Sequence, residues 1–206
     1  TTRAGYAIGA FRVSATTASR ATFADGMSSG GLVGPAPIWT ALTTLHAALR
    51  GEGGDRIEKH SLALARGNWP DERRHIRARL SKFVTAGGER RVSVDEDDGQ
   101  ESHTIVTRVE QFADATLLDC EIRTGRTHQI RVHLASMGFP IVGDDKYGDF
   151  AHNKLIAAAR NGGLKRMFLH ARLMAFPHPL GGAKTVIEAP LAPELARYLH
   201  YLRQAG

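Results

Sequence analysis

Between Thr124 and Gly148 the chain reads TGRTHQIRVHLASMGFPIVGDDKYG, and this segment constrains the fold more than any other. It places Arg126, His128, Gln129, Arg131 and His133 within eight residues. They follow directly on Ala115 to Arg123 (ATLLDCEIR), whose alternation has the period of a strand. Ile130, Leu134 and Met137 form an apolar stripe that predicts a helix over Thr127–Met137, with Gly138 at its end. So many cationic and hydrogen-bonding groups at a strand-to-helix junction make poor core and a good anion site. Helix N-termini and arginine forks suit phosphate or a buried carboxylate. The competing reading is a solvated helix start whose charges do little.

Around this junction the pattern is mixed. Apolar residues recur at Ile38, Leu42, Leu45 and Leu49, a helical stripe with Gly51 as its stop. Leu62–Ala65 is a short apolar strand. Ile76–Thr85, Arg90–Asp95, Ser102–Phe112 and Thr116–Ile122 read as successive strands, separated by Gly87-Gly88, Asp97-Asp98-Gly99 and Ala113-Asp114. A second helix is expected over Asn153–Arg160, before Gly162-Gly163. Phe168–Phe176 and Lys184–Ala189 read as a hairpin about His178 to Gly182. An amphipathic helix starts near Pro193, with Leu195, Tyr198, Leu199 and Leu202 on one face. Short strands joined by brief turns imply an antiparallel sheet. The expected class is therefore α+β: a mainly antiparallel mixed β-sheet with flanking helices.

At 206 residues the chain is long enough to bury a real core, and residues 1–206 are expected to form a single domain. Its net charge of +6 favours a polyanionic partner. The single cysteine, Cys120, lies in an apolar strand, cannot form an intrachain disulfide and is expected to be a small buried hydrophobe. No apolar run is long enough to span a bilayer and no signal-peptide pattern is present, so no membrane partner and a cytoplasmic location are expected. His128 and His133 are five apart, not four as on one helix face, and the only nearby carboxylates are Asp144 and Asp145. A metal-dependent hydrolase built on His128, His133 and Asp144 is thus a distant option, and no metal is expected.

The 124–148 segment resembles the signature of the RluA family of RNA pseudouridine synthases. RMFLHARLMAFPHP (Arg166 to Pro179) is similar to that family's later element, and IEKHSLALARG (Ile57 to Gly67) resembles its Lys-x-Tyr strand. The likeness runs from about Trp39 to the C-terminus; residues 1–37 match poorly, and no S4 RNA-binding domain is expected within the chain. The resemblance implies the pseudouridine-synthase catalytic fold, with isomerisation of uridine in large-subunit ribosomal RNA as its activity. It implies no cofactor, and we expect a monomer. It also implies a catalytic aspartate held ionised by an arginine, which falls at Arg131. Lys59, Ser61 and Leu169 are carried over as substrate-binding positions, with Leu169 against the bound base. Arg126 and His128 join them as contacts to RNA from the loop and helix start.

The family's aspartate segment corresponds to TFADGMSSGGLV (Thr22 to Val33), where Asp25, Ser29, Gly30, Leu32 and Val33 keep the spacing. Asp25 is also the only acidic residue before Glu52. Phe23 and Ala24 stand where the family carries arginine and leucine, and Ser61 replaces a tyrosine ring that would stack on the base. Stacking of that kind contributes about 1–3 kcal/mol per base. A base inside folded RNA must be extruded into a pocket with apolar walls and a basic rim. Two functions follow: a synthase using Asp25 and Arg131, or a non-catalytic RNA-binding relative on the same scaffold.

Overall fold

A computed structural model describes residues 57–159, 163–178 and 184–205, together with the backbone of 7–8 and 11–12. The expected helix over Ile38–Leu49 lies outside these residues. The chain divides into two compact units, Thr1–Ile57 with Met174–Ile187, and Glu58–Leu173 with Glu188–Gly206. In the first unit, β1 (Ala7–Ile8) and β2 (Phe11–Arg12) pair antiparallel.

Among the described residues the main sheet has seven strands: β3 (Glu58–Arg66), β4 (Arg73–Val84), β5 (Arg90–Val94), β6 (Gln100–Gln111), β7 (Ala115–Ile122), β8 (Leu169–Pro177) and β9 (Lys184–Glu188). They lie in the order β5-β4-β6-β7-β3-β8-β9. β3 to β7 and the start of β8, as far as Leu173, belong to the larger unit. Every pairing from β3 to β7 is antiparallel. The α+β class and the mainly antiparallel sheet are as expected from the alternation. β3 is longer than the apolar Leu62–Ala65, because register with β7 carries it on through polar positions from Arg66↔Ala115 to His60↔Glu121.

The side-chain alternation of a strand divides the core into two layers. On one face Ala63, Ala65, Val106, Leu118 and Cys120 meet Ile130 and Leu134 of α1 (Gln129–Ser136), with Trp69 and Ile141 filling the edge. On the other, Leu64 and Leu117 meet Leu195, Tyr198 and Leu199 of α3 (Pro193–Ala205). Between these helices in sequence runs α2 (Phe150–Ala158), capped by the Asp149 carboxylate, which accepts from the His152 amide. Cys120 is fully buried, and burial pushes its thiol well above the usual range, consistent with its role as core. Among the described residues no helix is long and apolar enough to cross a membrane.

α1 starts at Gln129, two residues later than expected, because His128 adopts the left-handed backbone conformation at φ 53°. It ends as expected: Gly138, at φ 83°, donates to Ala135 O and Phe139 donates to Leu134 O, the pair of bonds that closes a Schellman motif. A one-sided apolar stripe does not describe this helix. Gln129, Ile130, Val132, His133 and Leu134 are all buried, since Val132 packs on Leu80 and Val92 while Ile130 and Leu134 face the main core.

His133 therefore does not belong to a cationic cleft. It is fully buried, with Nδ1 2.9 Å from Thr104 Oγ1 and Nε2 2.7 Å from Ser102 Oγ. Burial pushes its pKa down to about 4, so the ring is neutral and pins α1 to β6. The unfolded chain takes up this proton near pH 6.5, before the folded protein does. Stability is then complete above pH 6.5 and falls as the pH drops towards 4, by roughly 3 kcal/mol in total. Urea unfolding of wild type and His133→Gln across that range should show this acid slope in wild type and a shallower one in the variant; parallel slopes would contradict the assignment.

Candidate active site around the helix start

The loop from Thr124 to His128 is held by one buried amide. Gln129 Oε1 accepts from Thr124 Oγ1 at 2.7 Å and from the Arg126 amide at 3.0 Å, while Nε2 donates to His103 O and Thr104 Oγ1. The Thr124 hydroxyl in turn accepts the His103 amide. The first residue of α1 thus ties down the loop that precedes the helix and locks it to β6. Arg126, exposed, is steered by a 3.0 Å bond from Nε to Glu101 O.

Arg131 occupies the next position outward. Its Nε donates to Asp144 Oδ2 at 2.8 Å and its Nη2 to Asp144 Oδ1 at 2.6 Å, a bidentate fork; Nη2 also reaches Asp145 Oδ1 at 3.1 Å. Asp144 is completely buried, whereas the Asp145 side chain is 85% exposed. Asp144 Oδ1 accepts the amides of Lys146 and Tyr147 as well. Burial pushes the Asp144 carboxyl up, but the Arg131 fork and the two amides together outweigh it and hold it below the usual carboxylate range. The fork onto Asp144 raises the Arg131 pKa still further, so this cation is permanent.

Tyr147 joins the helix start to the sheet. The Arg131 guanidinium lies 5.0 Å from its ring centroid, and its hydroxyl accepts the Val92 amide at 2.9 Å. The same oxygen is 3.0 Å from His128 Nδ1. Burial, then the nearby Arg131 and Lys146, push His128 below its ordinary pKa. The neutral ring is therefore favoured, and Nδ1 and the Tyr147 hydroxyl share one hydrogen bond.

On β3, Lys59 and Ser61 share the sheet face that carries Ala63 and Ala65. A Cβ placed on Gly125 would lie 3.9 Å from Lys59 Nζ, so this ammonium borders the signature loop. Burial lowers the Lys59 pKa. Ser61 is 7% exposed, and Leu169, at the start of β8, packs half-buried against the α1 side of the core. The structure thus groups His128 with Arg131 through Tyr147, and Lys59 with the Gly125–Arg126 loop. Asp25 lies outside the described residues. His133 and Gln129 turn inward as structural ties. Tyr147 is the site residue that sequence reasoning overlooked, and Asp144, weighed there only as a metal ligand, is the partner of Arg131; the signal available was an acidic pair in a glycine-bounded turn following an arginine-bearing helix.

The hydrolase option has no assembled ligand set here. Both His133 nitrogens face hydroxyls, both Asp144 oxygens are taken, and no group of metal-ligating residues occurs among the described residues.

Comparison with known proteins agrees with this geometry. The family described as RNA pseudouridylate synthase matches residues 39–136, which include β3 to β7 and all of α1. Over those residues the chain is similar to that family. It is 43% identical over 166 residues to the ribosomal large subunit pseudouridine synthase C of Salmonella typhimurium, and equally so to that of Escherichia coli strain K12. Each match covers 81% of this chain and 50% of the relative, so the chain spans about half the length of those proteins. The fold also resembles human RNA pseudouridylate synthase domain containing 1, with TM-score 0.59, 24% identity and coverage of 79% of this chain and 64% of that one.

A buried charge pair with one member removed leaves the other unpaired and desolvated. Asp144→Ala is expected to cost about 3–5 kcal/mol in urea-induced unfolding, while Asp145→Ala should leave the midpoint nearly unchanged. Equal effects of the two variants would show that the fork is not what holds the turn.

Proposed function

We propose that this protein converts uridine to pseudouridine in large-subunit ribosomal RNA, with Asp25 as the catalytic carboxylate and Arg131 as its partner. The observation that carries the reading is the 43% identity to relatives named as large-subunit pseudouridine synthases, across the segment that fixes Arg131 in place. The Arg131 geometry is compatible with a third acid. Nε and Nη2 serve Asp144 and Asp145, and Nη1 has no hydrogen-bond partner among the described residues.

The reaction is an isomerisation. The bond from C1′ to N1 breaks, the base turns, and a bond from C1′ to C5 forms; C5 gives up its proton and N1 gains one. Charge develops on sugar and base during cleavage, and a desolvated carboxylate held ionised by a guanidinium meets that need. The target base must leave its stack, and in this reading Lys59, Ser61 and Leu169 border the cleft that receives it. Arg126 and the His128 ring contact the RNA backbone. The chemistry needs no cofactor, and the protein acts in the cytoplasm as a monomer, with residues 1–206 as one catalytic domain.

Ser61 favours a second reading, an RNA-binding relative without turnover. A buried serine supplies no ring for the base to stack on. The two readings part on one assay. With 5-tritiated uridine in large-subunit ribosomal RNA, wild type should release tritium, and Asp25→Ala should release none while keeping its salt-dependent RNA affinity. Full release by Asp25→Ala would refute the aspartate assignment, and no release by wild type would leave only the binding reading.

A further inference from the structure

Beside the signature loop lies a cleft of about 380 Å³ that this reading does not use. Leu80 and Val92, 4% and 5% exposed, form its floor from adjacent antiparallel strands. Lys82 and Arg126 bring cations to it, and Asp98 and Gln100 bring a carboxylate and an amide. The loop residues Gly125 and Arg126 belong to its wall, and Lys59 approaches that same loop at Gly125. One rigid loop therefore borders both the Lys59–Ser61 surface and this second hollow.

We propose that the cleft is a subsite for one unpaired nucleotide next to the target uridine, taking a base that carries an exocyclic amine. The inference rests on the function proposed above. The Arg126 guanidinium, exposed at the cleft, offers a plane for a base to stack on. The Asp98 carboxylate accepts only from a donor; the amino group of cytosine, adenine or guanine projects from the ring edge, whereas uracil's one donor, N3–H, lies between two carbonyls that repel a carboxylate. The Gln100 amide supplies a donor and an acceptor for the remaining edge. Asp98 repels a phosphate, so the base enters while its phosphate stays with Lys82 and Arg126. Phosphate contacts alone would position RNA without reading it; this cleft adds a reading of sequence.

The test uses the full chain and short RNAs whose flanking nucleotide is native, uridine or abasic. The expected result is that wild type loses about tenfold in kcat/KM on the uridine and abasic RNAs, the scale of one lost base contact. Asp98→Ala/Gln100→Ala should show that loss on native RNA and no longer distinguish the three. Binding is followed separately with 2-aminopurine at the flanking position, whose fluorescence should change on wild type and not on the double variant. A wild type indifferent to the flank, or a double variant that keeps the preference and the fluorescence change, overturns the subsite. If wild type forms no pseudouridine in any RNA, the activity fails, and the fluorescence alone decides whether the cleft takes a base.

Discussion

The fork from Arg131 to Asp144 is the contact on which the helix start and the following turn both depend. An ionised carboxylate with no exposed surface is expensive to bury unless its lone pairs are filled. Here four N–H groups fill them: two from the guanidinium and two from the amides of Lys146 and Tyr147. Those amides can converge on one oxygen only because the chain turns sharply after Gly143, at φ 78°, where a Cβ would run into the Arg166 carbonyl. The turn thus presents a preformed anion nest whose anion is the protein's own side chain. Its consequence reaches the sheet. Tyr147, fixed by the same turn, holds Val92 of β5 and His128 at once, while Arg91 and Glu89 grip Lys146 from the β4–β5 hairpin.

The polar residues of the signature divide by direction, and the division has an energetic logic. Gln129 and His133 enter the interior as neutral groups, where every hydrogen-bonding atom they bring finds a partner on β6 or the 124–126 loop. Neutral groups so satisfied cost little to bury and fix a unique register of helix on strand. The Arg126 guanidinium stays outside, and that of Arg131 goes under cover only with Asp144 as its counter-ion. What looks in one dimension like a cluster of cations is in three dimensions a set of internal ties, one paired cation and one exposed cation.

That distinction explains what was legible in the chain. The strands from β4 to β7 were readable because alternation and glycine-bearing turns are local signals, and the α1 stop at Gly138 was readable for the same reason. The direction of His133 was not. A helix with core on two sides carries no single polar face, so Val132 and Leu134 leave the intervening histidine undetermined. Nor was the Asp144 partner visible: the bond spans 13 positions and depends on a loop conformation, which leaves no periodic trace. The left-handed backbone at His128 is likewise unforeseeable, because outside glycine such a conformation is imposed by surrounding bonds, here those of Gln129 and Tyr147.

A guanidinium has five N–H donors, and three of those on Arg131 are committed within the helix–turn unit. Its single positive charge faces two carboxylates, one buried and one in water. A further acid approaching through Nη1, as the proposed catalytic pair requires, would meet a cation already largely balanced by Asp144. The attraction it feels is correspondingly weaker than that of an isolated arginine at equal distance, by Coulomb's law alone. A desolvated acid would still draw on that cation to stay ionised, without being locked to it as Asp144 is. Strong pairing fixes the cation; moderate pairing would leave the reacting carboxylate its basicity. In the proposed pair one side chain would perform both tasks because Asp144, deeper in the protein, takes the stronger bond.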